Sequence, residues 1–169
     1  MDAIRNMMTR QSVRSFTQEA ISKEDLQTII DCALASPTGK NLQNRLFTVL
    51  TKKEDIEKLA KVMKRALNRE KYDFFNPNVL ILVTVPRDSD LGESDCAIAL
   101  ENIYLAAHAL DLGSVWINQL RQCQEDEEVR NVLTSFGIPK DHISYGMSAI
   151  GHIGTRPAVK ERTETVIII

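Results

Sequence analysis

Residues 79–85 read Val-Leu-Ile-Leu-Val-Thr-Val, an unbroken apolar and β-branched run bounded by prolines at 77 and 86. A strand with one solvated face alternates apolar and polar side chains. This run does not, so it predicts a central strand buried on both faces. The rest of the chain must therefore cover both sides of a sheet.

Several segments have the pattern to do so. Leu26, Ile29, Ile30, Ala33 and Leu34 fall on one helical face. Ser22 and Asp25 are spaced as a capping box, Ile21 is placed to staple onto Leu26, and Pro37 ends the helix. Ile56, Leu59, Ala60, Met63, Ala66 and Leu67 mark a second amphipathic helix, entered through a capping box at Thr51 and Glu54. Its other side carries Lys58, Lys61, Lys64 and Arg65, the composition of a solvated face. An alanine-rich helix capped by Ser94 runs through Leu110. It is apolar on most sides and so is expected to be buried against the sheet or a partner subunit, with Gly113 ending it in the left-handed region. Val129, Val132, Leu133 and Phe136 mark another helix, stopped by Gly137 and Pro139, and Asp2 caps a short one carrying Ile4, Met7 and Met8. Further strands are expected over 46–50, 114–117 and 143–153.

Two stretches carry chemistry rather than core. In Arg10-Gln11-Ser12-Val13-Arg14, an extended backbone puts Arg10, Ser12 and Arg14 on one face and Val13 on the other. Two guanidinium forks and a hydroxyl aimed at one spot suit a phosphate, which arginine pairs bidentately. The same residues also make an ordinary polar turn with solvated arginines. The second stretch, 35–43, is rich in hydroxyls and amides with one glycine. It is able to offer many hydrogen bonds and to let backbone approach a flat ligand.

Other classes are disfavoured. With 169 residues, 43% hydrophobic and 26% charged, the chain has the composition of one globular domain spanning 1–169. A net charge of −2 without a basic run argues against nucleic acid as a main partner. Cys32, Cys96 and Cys123 are odd in number and far apart, which points away from a disulfide framework or zinc site and toward a reducing, cytoplasmic compartment. No apolar leader is apparent, and the longest apolar stretch, 96–110, is interrupted by Glu101, Asn102 and His108, too polar to span a bilayer. There is no G-x-G-x-x-G after a strand, no Walker loop, no metal-binding His/Cys cluster and no nucleophile elbow. His108, His142 and His152 are dispersed and read as structural or exposed. Phosphate-type residues without those signatures fit a tightly bound phosphorylated cofactor that carries the chemistry itself.

Four stretches in order resemble the FMN-dependent nitroreductase family. Arg10-Gln11-Ser12-Val13-Arg14 resembles its R-x-S-x-R. Ser36-Pro37-Thr38-Gly39-Lys40-Asn41-Leu42-Gln43 resembles its S-P-S-x-x-N-x-Q loop. Asp111-Leu112-Gly113-Ser114-Val115-Trp116-Ile117 is similar to its G-L-G-S-x-W-I segment. Gly151-His152-Ile153-Gly154 with Lys160-Glu161-Arg162 resembles its glycine-containing ending and basic K-x-R.

The resemblance implies an α+β fold, a three-layer αβα sandwich around a central mixed sheet, in an intertwined homodimer with FMN at the interface. It implies that Arg10, Ser12 and Arg14 bind the FMN phosphate and ribityl chain with Gln11 nearby, and that Lys160 and Arg162 complete the phosphate site. It also implies that Pro37, Thr38 and Asn41 reach the isoalloxazine ring from the other subunit, and that the backbone of Trp116, Ile117 and Asn118 lines the site. The activity implied is an NAD(P)H-dependent flavin oxidoreductase reducing nitroaromatics, quinones or similar small acceptors in a ping-pong cycle. No catalytic side chain is implied, no metal, no nucleic acid and no membrane. A flavin-binding module without efficient turnover and a related reductive dehalogenase are the alternatives. The chain departs from the family pattern at Asn44-Arg45, where Pro-Trp is usual, and has little room between Leu67 and Asn76 for the helical excursion that roofs the flavin in longer members. Finally, residues 165–169, Thr-Val-Ile-Ile-Ile, form an apolar β-branched end that needs burial, either paired at home or, as the resemblance implies, on the partner's sheet.

Overall fold

A four-stranded sheet organises the computed structural model, which describes residues 2–169. Its order is β1–β2–β4–β3, with β1 at Leu46–Leu50, β2 at Val79–Pro86, β3 at Leu112–Ile117 and β4 at His142–His152. The strand expected to be central is so: β2 pairs with β1 on one side and β4 on the other, and its residues from Val79 to Val85 are all buried.

Alternation along the strands sends side chains into two cores. Leu80, Leu82, Met147 and Ala149 pack on α3 (Lys53–Ala66), α5 (Leu120–Cys123) and α6 (Glu127–Ser135). Ile81, Val83 and Ile150 pack on α2 (Lys23–Leu34) and α4 (Gly92–Ala109). Helices thus cover both faces, giving the expected three-layer α+β sandwich. All pairings between these strands are antiparallel. The parallel component of the expected mixed sheet is confined to one bridge, where Ser12 joins Ser114 at the outer edge of β3. Among the described residues, no helix is long and apolar enough to cross a membrane.

Local signals set most boundaries. Asp2 caps α1 (Ala3–Thr9) by accepting from the Arg5 N–H, and Ser22 caps α2 by accepting from the Asp25 N–H at 3.0 Å. Three boundaries differ from expectation. α3 begins after Lys52 with no side-chain cap, because Thr51 lies one residue too far back for its hydroxyl to meet the free N–H groups. Its acidic first turn, Glu54 and Asp55, complements the helix dipole instead. α4 begins after Leu91, which places Ser94 inside the helix. The left-handed residue ending α4 is Asp111, at φ 57°, rather than Gly113. Gly113 lies within β3, and a Cβ there would sit 2.7 Å from Val13 Cγ1. The glycine is required for close packing, while aspartate tolerates the turn.

Residues 154–169 form no strand, so the expected terminal strand does not pair within its own subunit. Val166, Ile167, Ile168 and Ile169 are all at least 81% exposed. Residues 67–78 contain no helix, in keeping with the little room expected there.

Candidate functional site

The N-terminal ribbon is pinned to β3 and β4. Val13 donates its N–H to the Ser114 carbonyl at 2.9 Å, and its side chain, 4% exposed, packs over Gly113. Farther on, Phe16 bridges Ile153, Thr17 donates to the His152 carbonyl at 2.9 Å, and Gly154 donates to the Ser15 carbonyl at 2.8 Å. With Val13 facing in, Arg10, Ser12 and Arg14 stand on the opposite side. The last of these contacts brings the chain after β4 alongside the ribbon.

A cavity of about 190 Å³ results. Arg10, Gln11, Ser12 and Arg14 line one wall, and Pro157, Ala158, Lys160 and Arg162 the other. Two basic stretches roughly 150 positions apart in the chain thus share one small space. Oriented with its nitrogen toward the tail, the Gln11 amide donates to the carbonyls of Pro157 and Ala158, each at 3.3 Å. Arg10 is backed by α4: its Nε is 3.6 Å from Glu101 Oε1 and its guanidinium carbon is 5.8 Å from the centre of the Tyr104 ring. Arg14, Lys160 and Arg162 make no ion pair among the described residues. Four cations gathered with one peripheral carboxylate repel one another unless an anion lies between them. A phosphate monoester fits the size, charge and donor types of the cavity.

The other expected residues stand elsewhere. Trp116 and Asn118 are exposed at the end of β3, with Ile117 buried between them. The Trp116 indole lies across Gly146, where a Cβ would be 2.6 Å from its Nε1, and tilts against Tyr104 with ring centres 6.4 Å apart. Pro37, Thr38 and Asn41 occupy a loop containing a 3-10 turn, Gly39–Asn41. Thr38 Oγ1 accepts from the Gln43 N–H at 3.1 Å, and the Gln43 amide donates to Asn41 Oδ1 at 2.8 Å. None of Pro37, Thr38, Asn41, Trp116, Ile117 and Asn118 lines the basic cavity within one chain.

Burial pushes the Cys96 thiol up to about 12 and the Cys123 thiol to about 11. His108, bonded to Thr9 Oγ1 at 2.9 Å, is held below its usual value by burial and then by Arg10. Glu101 and Tyr104 are the supports that sequence reasoning missed. The available signal was an acid interrupting an otherwise apolar helix.

The fold and site together define a class: an α+β sandwich with a phosphate-sized basic cavity beside the edge of its sheet. The model of the Nitroreductase family matches residues 7–79 and 71–152. The structure of a nitroreductase with bound FMN from Bacteroides fragilis is 30% identical and superposes with a TM-score of 0.93, over 100% of this chain and 99% of that one. A nitroreductase with bound FMN from Desulfitobacterium hafniense, 20% identical, has the same fold, with a TM-score of 0.83 over 99% of both chains. An NADPH-flavin oxidoreductase of Vibrio harveyi is 27% identical over 184 residues, 99% of this chain and 72% of its own length. The chain belongs to the nitroreductase family.

Proposed function

We propose that this protein is an FMN-dependent NAD(P)H oxidoreductase that reduces nitroaromatics, quinones or similar small acceptors. The observation that carries the reading is the cavity in which Arg10, Ser12 and Arg14 meet Lys160 and Arg162. FMN, when bound, supplies the capacity to take up and pass on a hydride. The chain supplies binding and orientation. Arg10, Arg14, Lys160 and Arg162 hold the phosphate, with Ser12 donating a hydroxyl and Gln11 tying the two walls together. Trp116, Ile117 and Asn118 line the site along β3. Donor and acceptor would bind the same site in turn, which would make the kinetics ping-pong.

The working unit is a homodimer. Pro37, Thr38 and Asn41 belong to the ring-binding set but stand apart from their own chain's basic cavity, and a second copy supplies them. Two further features support this. The outer edge of β1 pairs with no strand among the described residues. Beyond its end lies a groove of about 800 Å³, lined by Ile21, Leu26 and Ile56 together with Lys23, Lys53 and Lys61. The apolar residues 165–169 of the second copy suit that edge and groove by hydrophobicity. The reducing surroundings of the cytoplasm agree with three free cysteines.

The test is the visible spectrum of the purified protein, followed by anaerobic mixing with NADH and NADPH. Flavin bands that bleach with either donor are expected. Protein without flavin refutes the cofactor. Flavin that neither donor bleaches refutes the oxidoreductase and leaves a binding module.

A further inference from the structure

The loop carrying Pro37, Thr38 and Asn41 is fastened at its start, apex and end; the apex and end are held by Asp95, and the start is held through Arg45. Asp95, in the first turn of α4, is 2% exposed. Its Oδ1 accepts from the Gly39 N–H at 2.8 Å, at the apex. Its main-chain carbonyl accepts from Arg45 Nη1 at 3.0 Å, at the end. The same Nη1 donates to Ser36 Oγ at 2.7 Å, and Nη2 donates to the Ser36 carbonyl at 2.8 Å, at the start. The guanidinium also lies over the Phe47 ring, 5.5 Å from its centre.

Stability alone does not account for this arrangement. Asp95 Oδ2 and Arg45 Nε are both buried without a hydrogen-bond partner among the described residues. Groups buried in that way cost more than apolar side chains filling the same space. Desolvation lowers the Arg45 pKa, and the charge of Asp95 only partly offsets it. What the fastening restrains is a loop that would otherwise relax: Lys40, Asn41 and Gln43 hold left-handed backbone at φ 53°, 55° and 49°. Such strain persists only where surrounding contacts over-determine the conformation.

We propose that Asp95 and Arg45 are positioning residues that hold the 37–43 loop in the shape in which Thr38 and Asn41 meet the flavin ring. The proposal rests on the FMN reading above. Among the described residues the basic cavity shares no hydrogen bond with this set, so loosening the loop leaves the phosphate contacts in place.

Asp95→Ala removes the acceptor at Gly39, and Asp95→Asn restores a neutral one in its place. Without flavin, amide hydrogen exchange at Gly39 is expected to rise in Asp95→Ala and to return most of the way in Asp95→Asn. With flavin, Asp95→Ala should weaken FMN binding less than Arg14→Ala does, while flavin reduction slows roughly ten- to a hundredfold, the scale of a small misplacement of a positioning group. Arg45→Lys keeps the charge but not the fork, and it is read the same way should Asp95→Ala not fold. Unchanged exchange at Gly39, or faster exchange with a wild-type reduction rate, overturns the proposal. Wild-type protein that takes up no FMN overturns the cofactor reading and this role together.

Discussion

Arg10 and Arg14 flank the same serine but are in different electrostatic positions. Arg14 is exposed and has no carboxylate partner among the described residues, so its charge is free for an incoming anion. Arg14→Ala should therefore weaken FMN binding by about 1.5–3 kcal/mol, the range for hydrogen bonds to a charged group. Arg10 is shared with Glu101, which is 53% exposed. Arg10→Ala removes a donor and also leaves that carboxylate beside the phosphate, so its loss should exceed that of Arg14→Ala. Fluorescence titration of the two variants ranks them, and the reverse order would show that Arg14 is the better-placed fork. Asn41 calls for a different substitution. At φ 55° an alanine would add backbone strain to the loss of the amide. Asn41→Gly isolates the amide, and it should change the flavin's reduction potential or its rate of reduction while FMN stays bound. Redox titration and stopped-flow mixing read this out; values equal to wild type would leave Asn41 with no part in tuning the ring.

The extended ribbon at 10–17 is the element on which the site depends, and it is seated on a glycine. Gly113 has no room for a side chain, because three Val13 atoms lie within 3.0 Å of a built Cβ. Gly113→Ala should destabilise the fold by about 1–3 kcal/mol, as overpacking does. It should also displace the ribbon and lower FMN affinity, although it touches no cofactor-binding side chain. A lowered melting temperature with unchanged FMN affinity would show that the ribbon adapts. This element also shows how far the sequence could be read. Val13 between two arginines gave the ribbon its faces, because alternation is a local property. What Val13 packs against is non-local, so the local pattern marks Gly113 only as a helix end. Sheet direction was illegible for a similar reason: a buried apolar run fixes burial, not the polarity of its neighbours. The Arg45–Asp95–Gly39 contacts join residues about 50 positions apart, and no local pattern marks them. Lys160 and Arg162 are marked only by the family resemblance, since two basic residues in a polar tail carry no periodic signal.

At the scale of the whole molecule, three features of the single chain are incomplete together. The 37–43 loop stands away from the basic cavity, the β1 edge pairs with no strand among the described residues, and residues 166–169 expose a valine and three isoleucines. An open edge and a free β-branched tail on one molecule are each an aggregation hazard, and pairing the tail of one copy with the edge of another removes both. Main-chain hydrogen bonds would then supply affinity, and alternate side chains entering the groove would supply register. The same exchange would bring the loop of one copy to the cavity of the other, so dimerisation and flavin binding should be one coupled equilibrium. Deleting residues 166–169 leaves Lys160 and Arg162 in place. It should nevertheless raise the dimer dissociation constant and, at low protein concentration, release FMN. Sedimentation velocity, followed at protein and flavin wavelengths, measures both at once. A truncated protein that stays a fully flavinated dimer on dilution would show that the tail is dispensable. A flavinated monomer would show that one chain completes the site alone, and would refute the shared site.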